Sequence, residues 1–210
     1  MKRILVLTCM GFLWSCQNKE ILLPKANETI VADVQDHSPI YLFFKTNEED
    51  TLVDVNRKNS ISSTNWLFNI DKRLPLRKVI LEVKKLQVKK ASSMHKSEDA
   101  ENYFTYTNSE TKSMAFLPFT TTKYKVEVPD LNVFQIYFDR NDLTRIGDEA
   151  FSKNDLQKFI DELSMGQQKR IVFTFDKKMS FEQYIQDKIF IRNLNIPSLP
   201  HKSKTTEYIY

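Results

Sequence analysis

The sequence predicts an α+β fold made of two related small units, each a mixed β-sheet with helices packed on one face. The first observation is a segment that recurs at an offset of 105 residues, because residues 65–74 align with residues 170–179. In both copies a short apolar run ends in Asp, Lys, a basic residue and an apolar residue, and passes directly into an amphipathic helix. The second observation is that strand-like and helical patterns alternate after residue 39, which is typical of sheets covered by helices. Identity between the copies is low, so duplication and chance similarity both stay open.

The residues before Cys16 have the composition of a bacterial export signal. A basic start precedes an apolar run over residues 4–14, and this run is shorter than the roughly 20 apolar residues needed to span a bilayer. It ends in Leu-Trp-Ser-Cys, which resembles the lipobox of bacterial lipoproteins, although Trp14 departs from the small residue usual there. We therefore predict a signal peptide over residues 1–15 and lipid attachment at Cys16. An ordinary signal peptide cleaved nearby and a short uncleaved anchor are the alternatives.

Residues 16–38 are predicted to be a tether. They are polar, contain Pro24, and have only two short apolar patches, at residues 21–23 and 30–31. The folded part is expected to begin near Pro39. The chain has two cysteines, one in the signal and one at the lipidation site, so we expect no disulfide in the mature chain.

The N-terminal unit, residues 39–129, is predicted to contain several strands and one helix. The strands are expected at residues 40–44, 51–55, 65–70, 102–107, 113–119 and 123–128. The helix begins at Pro75, a residue suited to the first helical turn, and apolar residues then recur at helical spacing. Residues 57–64 leave no room for a further helix, and Pro129-Asp130 marks the boundary with the next unit.

The C-terminal unit, residues 130–210, is predicted to follow the order strand, strand, helix, strand, helix, strand. The strands are expected at residues 133–138, 143–151, 171–175 and 207–210. Ser152 with Asp155, and Ser180 with Gln183, have the spacing of helix N-terminal caps. Helices on one face of a small mixed sheet make an α+β sandwich.

The order of elements in residues 131–210, with a strand that leads through Asp176-Lys177 into a helix, resembles the periplasmic domain of the ExbD and TolR proteins of bacterial motor complexes. The resemblance covers the C-terminal unit well and the N-terminal unit weakly. It implies a domain that engages partner proteins and the cell wall. Members of that family carry a membrane-spanning helix with a proton-handling acid, whereas residues 4–14 contain no acid. The resemblance therefore implies partner binding without proton-driven work.

Asp71, Lys72, Asp176 and Lys177 are candidate partner-contact residues because they occupy the repeated turn. The simpler explanation is structural, since an Asp just before a helix accepts backbone N–H bonds or favours the positive end of the helix dipole. Shared fold geometry alone would repeat such a residue at both junctions.

The helix that starts at Pro75 is strongly cationic opposite its apolar stripe, and Lys84, Lys85 and Lys89 are further candidate contact residues. One interpretation is contact with anionic lipid headgroups or with acidic glycan or peptide, and the other is a solvated helix face. Tyr208 and Tyr210 are also candidates, because a closing strand at the sheet edge could pair with a strand of a partner.

Catalysis, metal binding and nucleic-acid binding are not expected. The three histidines lack metal-ligand spacing, and Gly147 and Gly166 are the only glycines after the signal, too few for a phosphate-binding loop. The net charge of +4 for the whole chain falls to +2 without Lys2 and Arg3, and this balance argues against nucleic acid as the main partner. We expect no catalytic residue, no metal and no cofactor.

These observations predict a lipid-anchored envelope binding module, resembling the ExbD/TolR periplasmic domain, that assists TonB- or Tol-type biopolymer transport through protein–protein contact. The expected partners are envelope proteins, motor-complex components among them, and the membrane through the lipid anchor. The alternative is a structural envelope lipoprotein that binds peptidoglycan and has no link to energised transport. The chain is expected to face the periplasm, and the absence of an Asp directly after Cys16 favours the outer membrane over the inner.

Overall fold

The computed structural model describes residues 20–47, 50–130, 133–164, 171–196 and 205–210. The predicted signal peptide and Cys16 lie outside these residues. Within them the helices are α1 (Leu76–Ala91), α2 (Lys153–Ser164) and α3 (Phe181–Asn193). The strands are β1 (Lys25–Ala26), β2 (His37–Thr46), β3 (Thr51–Asn56), β4 (Asn65–Ile70), β5 (Asn102–Asn108), β6 (Met114–Pro118), β7 (Lys123–Lys125), β8 (Phe134–Phe138), β9 (Thr144–Ile146), β10 (Glu149–Phe151), β11 (Ile171–Phe175) and β12 (Thr206–Ile209).

The first sheet has six strands in the order β1-β5-β4-β2-β3, with β6 paired to β5. Strands β2, β4 and β5 are parallel, and β3 runs antiparallel to β2. Strand β4 is central, and its side chains Trp66, Leu67, Phe68 and Ile70 are all buried. A strand covered on both faces needs a nearly continuous apolar run, which explains the composition of the first copy of the repeat.

The second sheet has six strands in the order β10-β9-β8-β11-β12-β7. Strands β8, β11, β12 and β7 are parallel, and β9 and β10 continue the sheet as antiparallel strands. The single strand predicted over residues 143–151 is two short strands instead. Gly147 lies between them with a φ of 61°, a left-handed conformation that glycine adopts at little cost and that turns the chain back on itself.

Four consecutive strands have the same order and the same directions in both sheets. The series β3-β2-β4-β5 corresponds to β9-β8-β11-β12, and in each unit a helix connects the last two strands. Helix α2 has no counterpart in the first unit, where residues 57–64 form turns. The predicted α+β class, with two related mixed sheets and helices packed against them, is confirmed.

The predicted tether is wrong for the described residues 20–38, because they pack on the first sheet. Strand β1 pairs with the end of β5. The Tyr106 hydroxyl donates to Glu28 O at 2.9 Å and accepts the N–H of Ile30 at 3.0 Å. Apolar side chains anchor the segment, since Val34 is only 6% exposed and Ile30 and Val31 pack against buried clusters. The polar composition of the segment did not indicate this docking, because most of the hydrogen bonds that hold it are made by its backbone groups.

Strand β7 lies in the second sheet, although the sequence places its residues in the N-terminal unit before the boundary at Pro129-Asp130. It pairs in parallel with β12, so the chain crosses from one sheet to the other between β6 and β7. Strand β12 is therefore not the edge strand that the sequence predicts, because β11 and β7 flank it. The partner-strand prediction is wrong for Tyr208, which is already paired with Lys125.

The two helices that follow the repeated strands begin where the sequence predicts. Helix α1 starts after Pro75, whose φ is −62°. Helix α3 starts after Ser180, whose hydroxyl accepts the N–H of Gln183 at 3.2 Å. The Gln183 side chain does not reach back to form a capping box and instead donates to Asp139 O at 2.8 Å. This bond ties the start of α3 to the turn after β8.

One hydrophobic core runs through both units. Phe104 of β5 stacks on Phe119 with ring centroids 3.8 Å apart. Phe104 also meets Phe181 and Tyr184 of α3 at 5.3 and 6.2 Å, and Tyr184 meets Phe175 of β11 at 5.1 Å. Aromatic pairs contribute about 0.5–1.5 kcal/mol each beyond the area they bury. The two sheets are therefore joined by a shared aromatic cluster.

Tyr106→Phe tests the docking of the N-terminal segment. The variant keeps the ring in the core but leaves Glu28 O and the N–H of Ile30 without the hydroxyl, which should cost roughly 1–3 kcal/mol locally. We expect amide hydrogen exchange to accelerate at residues 28–31 and to stay unchanged in β4 and β11. Tyr103→Phe, which removes a hydroxyl bonded to a side chain, is the control and should leave the segment as in the wild type. Unchanged exchange in both variants would contradict the docking.

Candidate functional site at the junction of the two units

The strand-to-helix turns of the two units lie side by side and antiparallel, and we call this contact the junction (residues 71–77 with 176–182). Leu76 N–H donates to Met179 O at 2.9 Å, and Phe181 N–H donates to Leu74 O at 2.9 Å. The repeat that the sequence reveals is therefore also the place where its two copies touch.

A second pair of backbone bonds lies on either side of the first. Arg77 N–H donates to Lys177 O, and Glu182 N–H donates to Lys72 O, both at 3.1 Å. The sequence-predicted candidates Lys72 and Lys177 thus belong to one continuous structure. Nothing in the sequence signals this contact, because it joins segments about a hundred residues apart.

The four bonds of the junction are related by internal symmetry. Adding 105 to the residue of the first turn and subtracting 105 from the residue of the second turn converts each bond into its mate. Pro75 and Ser180 are equivalent in this sense, and they face each other as an antiparallel bridge. A pseudo-two-fold axis therefore passes between these two residues.

The Asp71 carboxylate is buried at the start of the first turn. Its Oδ1 accepts the backbone N–H of Arg73 at 3.1 Å, and its two oxygens accept Nε and Nη2 of the Arg73 guanidinium at 2.8 Å each. Leu22 N–H donates to Oδ2 at 3.3 Å. Burial alone would raise the pKa of Asp71, but Arg73 and these backbone donors outweigh it and hold the pKa below its ordinary value.

Asp176 occupies the equivalent place with weaker support. Its Oδ1 accepts the N–H of Lys178 at 2.7 Å, which matches the bond from Asp71 to the residue two positions on. Arg140 Nε lies 3.6 Å from Oδ2, and the carboxylate is 15% exposed. Each Asp therefore fixes its own turn, which is what the structural explanation requires, and neither is an unpartnered acid.

Side chains break the symmetry of the junction. Lys72 Nζ lies 3.1 Å from Glu182 Oε2 in a salt bridge. The equivalent positions in the other half hold Lys177 and Arg77, two exposed cations. One end of the junction is thus neutralised within the chain, whereas the other presents two like charges. Such an end favours an anionic partner.

The basic residues of α1 differ in their partners. Lys78 pairs with an acid of the turn between β2 and β3, and Lys85 pairs with Glu82 at 2.6 Å. Among the described residues, no acid pairs with Lys84 or Lys89. Of the three candidates predicted on this helix, Lys85 is therefore partly neutralised and the other two remain open cations.

Lys90 belongs to the core rather than to the cationic face. Its Nζ donates to Asn102 Oδ1 and to Glu101 O, each at 3.1 Å, and lies 5.1 Å from the centroid of the Trp66 ring. Burial lowers the pKa of Lys90 to about 8, against the opposing effect of the Glu101 charge. Helical spacing places this residue near the buried stripe, and that was the signal in the sequence.

The two candidate tyrosines are placed differently. Tyr208 is 7% exposed, and Lys125 Nζ lies 5.3 Å from its ring centroid, so the ring is not accessible to a partner. Tyr210 lies beside the junction, where its carbonyl accepts the N–H of Lys177 at 3.1 Å. Its ring lies 5.4 Å from Tyr137. Of these two candidates, Tyr210 alone joins the site.

A buried polar network near α3 was not anticipated from the sequence. Glu207 of β12 is 2% exposed, accepts the Tyr184 hydroxyl at 2.7 Å and pairs with Lys188. The hydroxyl oxygens of Tyr184 and Tyr124 lie 3.2 Å apart. Burial first, and then the Glu207 charge, raise the pKa of both tyrosines well above the ordinary value. A single acid within an apolar strand was the available signal.

Asp187 of α3 is a second buried acid that sequence reasoning missed. It is fully buried, and Lys153 at the start of α2 places Nζ 2.5 Å from its Oδ1. Burial raises the pKa of Asp187 to about 6, although the Lys153 charge opposes this rise. The pair fixes α2 against α3, and both groups serve the fold of the second unit.

Over the residues that the structure describes, no group of three or more His, Cys, Asp or Glu side chains could hold a metal ion. Within the same ranges, no helix is long and apolar enough to cross a membrane. The accessible side chains at the junction include the cations Arg77, Lys177 and Lys178.

Comparison with known proteins adds no further identification. No known protein family, curated protein or solved structure matches this chain. The interpretation of the site therefore depends on its own geometry and on the resemblance described above.

The two aspartates of the junction should differ in their effect on stability. Asp71→Asn removes a buried carboxylate that accepts bonds from two backbone N–H groups and from the half-exposed Arg73 guanidinium, and should lower the free energy of unfolding by roughly 2–3 kcal/mol. Asp176→Asn is the matched control, and about 1 kcal/mol is expected because its ion pair is longer and more exposed. Denaturant titration measures both values. Equal losses would contradict the assigned asymmetry.

Asp187 should make stability fall as the pH rises. Its pKa is raised in the folded chain, so the folded state binds a proton that the unfolded state has released between about pH 4 and 6. The resulting stabilisation is present at pH 4 and is lost as the pH passes 6, by roughly 2–3 kcal/mol. Asp187→Asn removes this dependence.

The measurement for this prediction is denaturant unfolding of the wild type and of Asp187→Asn at pH 4, 5.5 and 7. The stability of the variant relative to the wild type should rise with pH. A difference that stays constant over this range would show that Asp187 does not titrate there.

Proposed function

We propose that this chain is a lipid-anchored binding module of the bacterial envelope, resembling the ExbD/TolR periplasmic domain, that assists TonB- or Tol-type motor complexes by protein–protein contact. The observation that carries the proposal is the order of elements in the second unit. Strands β8, β9 and β10, helix α2, strand β11, helix α3 and strand β12 follow one another. This is the order on which the resemblance depends, except that the two short strands β9 and β10 replace one strand. The Asp176-Lys177 turn lies between β11 and α3, as the resemblance implies.

The chemistry of the junction supports binding rather than catalysis. Both aspartates of the repeated turns are occupied by backbone N–H groups and by arginines. The open side chains are cations, chiefly Arg77, Lys177 and Lys178. A contact surface of this kind attracts an acidic partner and speeds its association through long-range attraction.

The paired units also support a binding role. A single chain presents two related turns across a pseudo-two-fold axis, as a symmetric dimer would. Because Lys72 is bonded to Glu182 whereas Lys177 faces Arg77, the two halves of this surface are not interchangeable. A partner that binds across this surface is therefore expected to do so in a single orientation.

The test is affinity purification of the tagged full-length chain from crosslinked cell envelopes. We expect motor-complex components to be enriched, and Lys177→Glu with Lys178→Glu to reduce the yield at least fivefold by reversing the charge of the open end. Lys123→Glu with Lys158→Glu changes the net charge equally on other exposed positions and is the matched control.

The outcomes of this test separate the two functions. Pelleting of the chain with purified peptidoglycan, without enrichment of motor components, would favour the alternative of a structural cell-wall-binding lipoprotein. Enrichment of neither would contradict both. If the control variant also loses the motor components, binding does not depend on the junction, and the assignment of the contact to the junction is contradicted.

The lipid anchor requires its own measurement. Growth with a fatty-acid analogue should label the wild-type chain, and Cys16→Ala should abolish the label because the thiol predicted to carry the lipid is gone. The variant should also be released from membranes by mild washing. Equal labelling of both chains would contradict attachment at Cys16.

A further inference from the structure

The outer face of α3 is covered by the N-terminal segment of the chain. Lys25 N–H donates to Glu182 Oε1 at 3.3 Å, and Gln186 Nε2 donates to Lys25 O at 3.0 Å. About two helical turns further on, Asn193 Nδ2 donates to Glu28 Oε2 at 2.6 Å. Three residues of α3 on one face therefore hold residues 25–28 in place.

The equivalent face of α1 is open. Internal symmetry places Arg77, Leu81 and Val88 where α3 has Glu182, Gln186 and Asn193. Leu81 is 38% exposed and Val88 is 68% exposed, and in the described part of the chain no segment lies on them as residues 25–28 lie on α3. The two helices thus share a position in the fold, but only one of them has its outer face covered.

The composition of this face indicates what could cover it. Lys84 lies on the same side of the helix as Arg77, Leu81 and Val88, because residues four and seven positions apart share a face. The cations of this face, Arg77 and Lys84, have no acidic partner among the residues described. The face of α3 differs, because its polar side chains bond the backbone and side chains of residues 25–28. Exposed apolar side chains set among cations are typical of helices that lie on an anionic lipid surface.

The route of the N-terminal chain brings a membrane within reach. Leu22 O accepts the N–H of Lys72 at 2.7 Å, and Lys72 precedes the start of α1 by four residues. Leu22 lies six positions after Cys16, and a fully extended chain over six positions spans about 20 Å. A lipid on Cys16 would therefore hold the first turns of α1 close to the bilayer.

We propose that the outer face of α1, formed by Arg77, Leu81, Lys84 and Val88, lies on an anionic phospholipid surface. The orientation beside the anchor rests on the proposed function, whereas the affinity of the face for lipid does not. Each cation near such a surface contributes about fivefold in affinity, and the two apolar side chains add contact with the acyl boundary. A protein partner on this face is the competing outcome.

Vesicle flotation with an unlipidated chain tests the affinity of the face by itself. The chain beginning at Gln17 is suitable because it lacks the acceptor cysteine and keeps every residue of both units. We expect binding to vesicles with 30% phosphatidylglycerol and none to phosphatidylcholine alone. Arg77→Glu with Lys84→Glu should weaken binding at least tenfold, and Val88→Glu should weaken it several-fold.

The control is a chain with the same change in net charge elsewhere. Lys123→Glu with Lys158→Glu should reduce vesicle binding less than threefold, and circular dichroism should show that all variants are folded. Equal losses in the helix variant and the control would overturn the proposal, because binding would then follow net charge alone. Binding to phosphatidylcholine as strong as to the anionic vesicles would overturn it too.

A second measurement keeps the proposal distinct from the proposed function. A fluorescent probe at Val88→Cys in the unlipidated chain should report an apolar environment on anionic vesicles, whereas a probe at Asn193→Cys should not. This result stands whether or not Cys16 is lipidated and whether or not motor components are recovered. Envelope proteins crosslinked through position 88, with no spectral change on vesicles, would assign the face to a protein and overturn the lipid proposal.

Discussion

The fold depends on the antiparallel contact between its two strand-to-helix turns. The first N–H groups of a helix have no partner within the helix and must be satisfied elsewhere. Here the N–H groups of Leu76 and Arg77 are accepted by carbonyls of the second turn, and those of Phe181 and Glu182 by carbonyls of the first. Each unit therefore caps the helix of the other. A unit on its own would lose these bonds.

The same contact brings the aromatic cores together. Phe181 directly follows Ser180 on the axis, and its ring meets Phe104 of the other sheet at 5.3 Å. Backbone pairing and apolar burial thus act at one place. The core is continuous for this reason, and the two units are expected to unfold together.

Local signals made much of this fold predictable from the sequence. The repeated strand, the start of α1 at Pro75 and the cap at Ser180 all depend on neighbouring residues, and the structure contains each of them. Errors arose where distant segments decide the outcome. Residues 20–38 have the composition of a tether, yet their backbone finds partners on β5, and β7 crosses to the second sheet to cover the edge of β12.

Only part of the candidate site could be predicted from local sequence patterns. Asp71, Lys72, Asp176 and Lys177 were recognised through repetition, but nothing local indicates that the turns touch. Glu207 and Asp187 were not predicted to be buried because an acid in an apolar element is normally exposed. Their lysine partners, Lys188 and Lys153, lie on other elements of the fold. Burial of a charge can be recognised only when its counter-ion is known.

Departures from symmetry are where function is expected to lie. Equivalent positions hold a salt bridge between Lys72 and Glu182 on one side and two cations on the other. Equivalent helices have one covered face and one open face. The fold requires neither difference, since the backbone bonds are the same in both halves. Open cations at the junction and on α1 are thus available for partners.

Amide hydrogen exchange at the junction tests the central claim most directly. If each unit caps the other, the amides of Leu76, Arg77, Phe181 and Glu182 should exchange at one common rate, equal to that of the core strands β4 and β11, through global unfolding. Exchange of these four amides well ahead of both strands, or separate exchange of the two units, would contradict the account.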